Sequence, residues 1–300
     1  MDGEKDPEEY GRREEFTPTL PYSPTFLLEL ADLHLHTNHS DGTSTPEEVV
    51  KQARLANLKA ISITDHDAVS GIDLAMAVAR ELGIEVIPGV ELSVTYQGKD
   101  IHILGYFIDY KDKKFLDYLE LFKIARIRRV EKMIAQLNRK GLPIRVESVL
   151  AKAGSGAVGR PHIAEVLVEE GYVASYEEAF QKYLGDQGPI FAEKYPLSPE
   201  EGIALIQSIG GVSVLAHPGC YNQDEIIPEL AKKGLDGIET TPPQNFPGDP
   251  QHYARMAQRY HLLESGGSDY HGERGGGTPM GTRAIPYSFV EKLRQRAGGR

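Results

Sequence analysis

Cysteine is nearly missing from this chain. Cys220 is the single cysteine among 300 residues, so neither an intramolecular disulfide nor a cysteine-based zinc or iron–sulfur cluster can form. A chain without disulfides suits a reducing compartment, and we expect the protein to be cytoplasmic. The acidic N-terminal stretch "MDGEKDPEEYGRREEF" lacks the apolar centre of a signal peptide or a membrane span. We expect residues 1–25 to form a flexible extension.

Positive charge is scarce too. The chain has 33 lysines and arginines against 44 acidic residues, and its net charge of -11 argues against attraction of the whole surface to nucleic acid or to an anionic membrane. The exception is the stretch from 111 to 145, where eleven lysines or arginines stand against four acids. Such a run is often only a solvated helix face, and an anion-binding surface is the alternative.

The sequence pattern predicts an α/β fold. From Ala31 onward, short apolar runs such as "ADLHLH" and "KAISITD" alternate with amphipathic stretches such as "TPEEVVKQARLAN", which is typical of strands joined by helical crossovers. Thr45 and Pro46 mark the start of the first helix, and "QGK" predicts a hairpin turn. We assign residues 26–110 and 196–300 to a barrel and residues 111–195 to an inserted helical subdomain that begins with one long helix.

Residues that commonly bind metal recur where the predicted strands end. His34 and His36 are two apart on the first strand, so both rings lie on the same side of it. Alone, this pair does not distinguish a metal site from a polar strand end. Similar residues follow other strands in "TDHD", "GVELS", "IHILGY", "AHPG" and "GSDYHG", at the edge where barrel enzymes gather their active sites.

In that order, these motifs resemble those of the polymerase and histidinol phosphatase (PHP) superfamily of metal-dependent phosphoesterases. The resemblance extends from Ala31 to about Ile285 and implies a distorted (β/α)7 TIM-like barrel, with two or three divalent metals at the C-terminal strand ends. Carried over by position, it implies nine metal ligands: His34, His36, Asp41, His66, Glu91, His102, His217, Asp269 and His271.

The inserted segment, "GRPHIAEVL" and "GSDYHG" are most similar to one branch of this superfamily. That branch removes the 3'-phosphate of 3',5'-nucleoside bisphosphates, and its members also degrade short RNA from the 5' end. The resemblance therefore implies a nucleotide or a short RNA end as substrate. From charge and composition we expect no membrane association, and no obligate protein partner is evident in the sequence. Histidinol phosphate is the main alternative substrate, because neither the ligand set nor the composition excludes it.

Imidazole and carboxylate ligands together suit manganese, zinc or iron(II), and we expect manganese, with magnesium as a further alternative. The metals would supply both the nucleophile and charge neutralisation. Arg160 and His162 open a predicted helix, where an anion is favoured, and are expected to bind phosphate. Arg126 falls within the apolar stripe of its helix, so we expect it to point inward and bind phosphate as well. Asp67 and His162 are candidates for carrying a proton to the leaving oxygen.

Two other classes compete with this hypothesis. An amidohydrolase also uses paired histidines and a late aspartate, but it typically needs a bridging lysine, and no lysine is placed at a strand end. A catalytically inactive PHP module that only binds a partner tends to lose ligands, whereas none is missing here. His39 lies on the predicted turn "TNHSDG" and Cys220 follows "AHPG"; we expect neither to be a ligand.

Overall fold

The computed structural model of the chain describes residues 29–185, 188–193, 195–221, 223–241, 249–272 and 278–299. The predicted N-terminal extension lies outside these residues. Within them, no helix combines the length and the apolar character needed to cross a bilayer.

Eight strands form one sheet in the order β7-β6-β5-β4-β3-β2-β1-β8. Their bounds are Leu30–Leu35 (β1), Ala60–Ile63 (β2), Glu85–Tyr96 (β3), Lys99–Tyr106 (β4), Val212–Leu215 (β5), Gly237–Thr241 (β6), Leu263–Gly266 (β7) and Ile285–Pro286 (β8). The sheet closes on itself beyond β7, where the Tyr270 carbonyl accepts from the amide of His36, just after β1, at 2.9 Å. The sheet is thus a nearly closed barrel, as predicted, with a two-residue eighth strand in addition to the expected seven.

The barrel departs from a regular parallel one at β4. β1, β2 and β3 pair in parallel, as do β5, β6 and β7, but β4 is antiparallel to both of its neighbours. The cause is the short turn between Tyr96 and Lys99, which folds β3 and β4 into the predicted hairpin and leaves no room for a crossover helix. This reversal turns the "IHILGY" strand around, so His102 lies near the beginning of β4 and still reaches the edge where β1, β2 and β3 carry their histidines and carboxylates.

Helices cover the outside of the barrel and form the segment between β4 and β5. Their bounds are Pro46–Leu55 (α1), Ile72–Leu82 (α2), Lys113–Arg139 (α3), Val146–Ala153 (α4), Arg160–Glu169 (α5), Tyr176–Ala179 (α6), Pro199–Ser208 (α7), Ile226–Lys232 (α8), Pro250–Tyr260 (α9) and Tyr287–Gly298 (α10). Thr45 caps α1 as predicted, accepting from the Glu48 amide while the Glu48 carboxylate accepts from the Thr45 amide.

The long helix α3 belongs to two separate clusters of buried side chains. Its first half contributes Phe115, Leu119 and Phe122 to the cluster that packs around the barrel. Its second half contributes residues such as Val130 and Leu137 to another cluster, formed with α4, α5 and α6. Arg126 takes the place of an apolar residue at the junction between the two clusters.

Candidate metal centre

β1 delivers two imidazoles to the C-terminal edge of the barrel. His34 and His36 are fully buried on one face of the strand, with their ring centroids 5.2 Å apart. Asp269 Oδ1, just beyond β7, lies 3.3 Å from His34 Nε2 and 3.2 Å from His36 Nε2. The period of a strand thus places both rings against a carboxylate from the other end of the sheet.

The nine positions implied as ligands all converge at this edge. Ligand atoms within 4.8 Å of one another form four overlapping groups: His36, Asp41, His66 and His271; His34, His36 and Asp269; His34, Glu91 and His217; and His66, Glu91 and His102. Glu91 is at the centre, since its Oε2 lies 3.1 Å from His36 Nε2 and 3.0 Å from His66 Nδ1. The overlap leaves room for more than one cation.

The hydrogen bonding of these atoms tests whether a metal fits. His34 Nε2, His36 Nε2, His66 Nδ1 and Glu91 Oε2 are buried. The three nitrogens lie 3.0–3.3 Å from Glu91 Oε2, yet none of the four atoms makes a hydrogen bond of acceptable angle among the described residues. Buried polar atoms without a partner destabilise a fold by about 1–3 kcal/mol each. Imidazole nitrogens and carboxylate oxygens that face one another in this way match the donor set of a divalent transition metal. The residues present therefore fit divalent metal ions.

Burial and neighbouring charges shift the pKa values of these groups in opposite directions. Burial by itself would lower the pKa of His36, but the carboxylates of Asp269 and Glu91 raise this pKa to about 10. Burial would raise the pKa of Glu91, but the surrounding imidazoles hold it well below its usual range. Attraction between opposite charges thus outweighs burial for both groups, and a divalent metal would compete with protons for the same atoms.

The turn after β1 is fixed so that Asp41 reaches the centre. Buried Asp65 accepts hydrogen bonds from the Thr37 amide and hydroxyl, both at 2.7 Å, and from the Ser40 hydroxyl at 2.6 Å. Gly42 is required in this turn, because a Cβ there would lie 2.6 Å from the His36 carbonyl oxygen. His39 belongs to none of the four groups, and its Nδ1 is instead 2.7 Å from the Ser70 hydroxyl.

Three residues of the site have a left-handed backbone. The φ angles of Asp67, His217 and Asp269 are 49°, 27° and 52°, a region that residues other than glycine rarely adopt. Such conformations cost on the order of 1–3 kcal/mol each and are concentrated at functional sites. Here they turn the chain sharply at the ends of β2, β5 and β7, where the candidate ligands stand.

Glu239 on β6 is a site residue that our sequence reasoning missed. It is 1% exposed; its Oε1 lies 3.1 Å from His34 Nδ1, and its Oε2 accepts from the His217 amide at 2.7 Å. When His34 donates through Nδ1 to this carboxylate, its Nε2 is left with a lone pair that faces Glu91 and Asp269. Glu239 therefore sets both the orientation and the tautomer of a candidate ligand.

Arg126 points inward from α3 and pairs with Asp67. Its Nε donates to Asp67 Oδ2 at 2.8 Å, and its Nη2 donates to the Ser93 hydroxyl at 2.9 Å. The other oxygen of Asp67 accepts from the Ser93 amide at 2.8 Å. Both oxygens of Asp67 are engaged, so Asp67 positions Arg126. The proton transfer expected of Asp67 stays a prediction.

Arg160 and His162 lie at the start of α5. His162 is buried, and its Nδ1 accepts from the Gly159 amide at 3.1 Å, which caps the helix. Arg160 Nη1 donates to the Leu184 carbonyl at 3.0 Å, and its Nη2 is 3.8 Å from Asp100 Oδ2. Asp100 Oδ1 is in turn 3.7 Å from His102 Nε2. Asp100 thus lies between Arg160 and the candidate ligand His102. Phosphate binding by Arg160 and His162, and proton transfer by His162, stay predictions.

A cleft of about 580 Å³ opens beside the centre. Arg160, Arg129 and Lys99 line it together with apolar residues that include Phe191 and Tyr221. Tyr221 links the cleft to the centre, because its hydroxyl accepts from the His102 amide at 3.0 Å and its ring centroid lies 5.5 Å from that of His217. The cleft therefore borders a residue that contacts two of the candidate metal ligands.

Comparison with known proteins places this chain in a family. The sequence profile described as "PHP domain" matches residues 32–185. A 5'-3' exoribonuclease of Haemophilus influenzae is 34% identical over 80% of this chain and 89% of its own length. A 3',5'-nucleoside bisphosphate phosphatase of Chromobacterium violaceum is 31% identical over 85% of this chain and 92% of its own. A solved structure from Bifidobacterium adolescentis, described as a metal-dependent phosphoesterase, superimposes with a TM-score of 0.81 at 30% identity, covering 89% of this chain and 96% of that one.

Proposed function

Since the chain belongs to the PHP domain family and is a metal-dependent phosphoesterase, we propose that it removes the 3'-phosphate of 3',5'-nucleoside bisphosphates, converting adenosine 3',5'-bisphosphate to AMP. We further propose that it shortens 5'-phosphorylated RNA by one nucleotide at a time from the 5' end. In both reactions the reacting phosphate is on the 3' side of a nucleoside whose 5'-phosphate is left intact.

One observation carries the proposal: a cleft with guanidinium groups adjoins the candidate metal centre. Both proposed substrates carry two anionic groups, the phosphate that reacts and the 5'-phosphate that does not. We assign the first to the nine candidate ligands. We assign the second to Arg160, which lines the cleft, and to Arg126, which pairs with Asp67. Histidinol phosphate carries a single phosphate and an amine, so it leaves these arginines without an anion.

The proposed cofactor is two or three divalent cations, with manganese as the expected metal. When bound, they supply an activated nucleophile and neutralise the charge that develops on the phosphate. The chain's own residues position the donor atoms and the charged groups. Glu91, His34 and His36 bring donor atoms to one point, Glu239 holds His34 in the tautomer that presents Nε2, and Asp67 holds Arg126 beside the centre.

A screen for released phosphate and for mononucleotides, with Mn²⁺ added, tests the proposal. The substrates are adenosine 3',5'-bisphosphate, AMP, histidinol phosphate and a short 5'-phosphorylated RNA. We expect phosphate and AMP from the bisphosphate, 5'-mononucleotides from the RNA, and no release from AMP or histidinol phosphate. Turnover of histidinol phosphate, with the bisphosphate and the RNA inert, would show that the substrate assignment is wrong.

Two further measurements exclude the other classes. Hydrolysis of p-nitrophenyl phosphate, with simple amides left intact, separates a phosphoesterase from an amidohydrolase. Metal analysis of protein purified without chelator tests whether the chain is an inactive binding module, because such a module would contain no transition metal.

A further inference from the structure

Phe191 is an exposed aromatic residue on a firmly held backbone. Its side chain is 55% exposed, yet its amide donates to Gln136 Oε1 at 2.9 Å and its carbonyl accepts from Gln136 Nε2. The next carbonyl along the chain, that of Ala192, accepts from Arg129 Nε at 2.9 Å. Two side chains of α3 thus fix the segment that carries the ring. Single exposed apolar side chains are common on protein surfaces, but this one also lines the cleft beside the candidate metal centre.

The cleft beside Phe191 has an apolar part and a charged part. Ile190, Phe191 and Pro196 line it on the side of the helical segment, and Tyr221 lines it next to the candidate metal centre. Its charged lining residues are three cations and two carboxylates: Lys99, Arg129, Arg160, Asp100 and Glu193. The lining thus has one more cation than carboxylates, in a chain whose net charge is -11. The apolar part suits a flat hydrophobic group, and the cations suit phosphate.

We propose that Phe191 is a stacking platform for a nucleobase of the substrate, and that Arg129 and Lys99 join Arg160 in binding the 5'-phosphate beside it. This inference rests on the function proposed above, and it deepens that function by assigning the part of the site that recognises the base. The occupant extends from the metal centre, past Tyr221, to the exposed face of Phe191. Because every base has a π-face, stacking of this kind tolerates all four bases.

Kinetics with matched substrates test the platform. The substrates are adenosine 3',5'-bisphosphate and the 3',5'-bisphosphate of abasic ribose, assayed with Phe191→Ala, Phe191→Tyr and Phe191→Leu. Removing a stacked aromatic weakens nucleotide binding by roughly tenfold or more. We therefore expect Phe191→Ala and Phe191→Leu to raise the KM for the adenosine substrate by about tenfold, with kcat nearly unchanged. The KM for the abasic substrate stays constant, and Phe191→Tyr restores wild-type values.

Leu55→Ala is the control, because Leu55 is 86% exposed on α1 and does not line the cleft. The conservative pair Phe191→Tyr and Phe191→Leu decides the question even if Phe191→Ala is poorly folded. Equal KM values for Phe191→Leu and Phe191→Tyr, or KM changes of the same size for the adenosine and abasic substrates, overturn the stacking platform alone. Failure of the wild-type protein to act on any nucleotide or RNA overturns the proposed function and this inference with it.

Discussion

Glu239 and His34 are 205 residues apart in the chain, and their side chains meet at 3.1 Å beneath the candidate metal centre. We expect Glu239→Gln to lower the affinity for Mn²⁺ by about 10- to 100-fold, because the amide cannot serve both His34 and the His217 backbone as acceptor. Isothermal titration of metal-free protein measures this. The control is Glu264→Gln, a carboxylate on β7 that bonds Thr240 instead of a candidate ligand. An unchanged affinity would show that Glu239 is only a core residue.

Removing the metal should lower the melting temperature. Asp41, Glu91 and Asp269 are gathered in a small volume, and a bound cation stabilises only the folded state in which they meet. At a metal concentration of 100 times Kd, the stabilisation is about 2.7 kcal/mol. Differential scanning fluorimetry with chelator, and then with Mn²⁺ added back, should show a reversible shift of several degrees. Identical curves would contradict a metal centre in this cluster.

Arg126→Ala should affect both substrate binding and stability. We expect at least a tenfold rise in KM for the nucleoside bisphosphate, because a guanidinium near the centre is lost. We also expect the free energy of unfolding to fall by about 3 kcal/mol, because Asp67 is left buried without its cation. Steady-state kinetics and urea unfolding measure the two effects. Arg128→Ala, at an exposed position of the same helix, serves as control. An unchanged KM would show that Arg126 does not bind the substrate.

Gly267→Ala should disturb the barrel where it closes. A Cβ at this position would lie 2.4 Å from the His34 backbone nitrogen, so β1 or the segment after β7 must shift. We expect a loss of roughly 1–3 kcal/mol in unfolding free energy, together with weaker metal binding. Gly298→Ala is the control, since a Cβ there meets nothing within 4 Å. Equal stability of the two variants would show that the barrel backbone can shift at this point at little cost in unfolding free energy.

Leu137→Ala tests the second cluster of buried side chains. Leu137 is fully buried at the end of α3, and truncation of such a leucine costs about 2–5 kcal/mol. Leu116→Ala, on the exposed face of the same helix, should cost much less. Because Leu137 packs away from the barrel, we expect the Mn²⁺ affinity of the folded variant to match the wild type. A large loss of affinity would mean that the helical segment supports the metal centre directly.

The sequence predicted most of the candidate site because its residues sit in local patterns. The two-residue spacing of His34 and His36 follows from strand geometry, and motifs such as "TDHD" and "GSDYHG" stand directly at strand ends. The hairpin of β3 and β4 was readable from its short turn. In each case the structural cause lies within a few residues of the signal.

The missed features depend on contacts between distant parts of the chain. Glu239 reads as an ordinary residue of the "GIET" strand, and nothing near it reveals His34 as its partner. The position of Arg126 in an apolar stripe indicated an inward-pointing cation, but its partner Asp67 is 59 residues away. Such pairings follow from strand order and helix placement, and local pattern does not encode them.

The division of α3 between two clusters of buried side chains has an evolutionary consequence. The barrel cluster surrounds the strands that carry the candidate ligands, whereas the cluster beyond Val130 supports the side of the cleft that holds Phe191. Among the described residues, no buried side chain belongs to both clusters. Substitutions that reshape the second cluster can therefore accumulate without moving a ligand. Descendants of one ancestral enzyme could keep the same hydrolytic machinery while diverging in the molecules they accept.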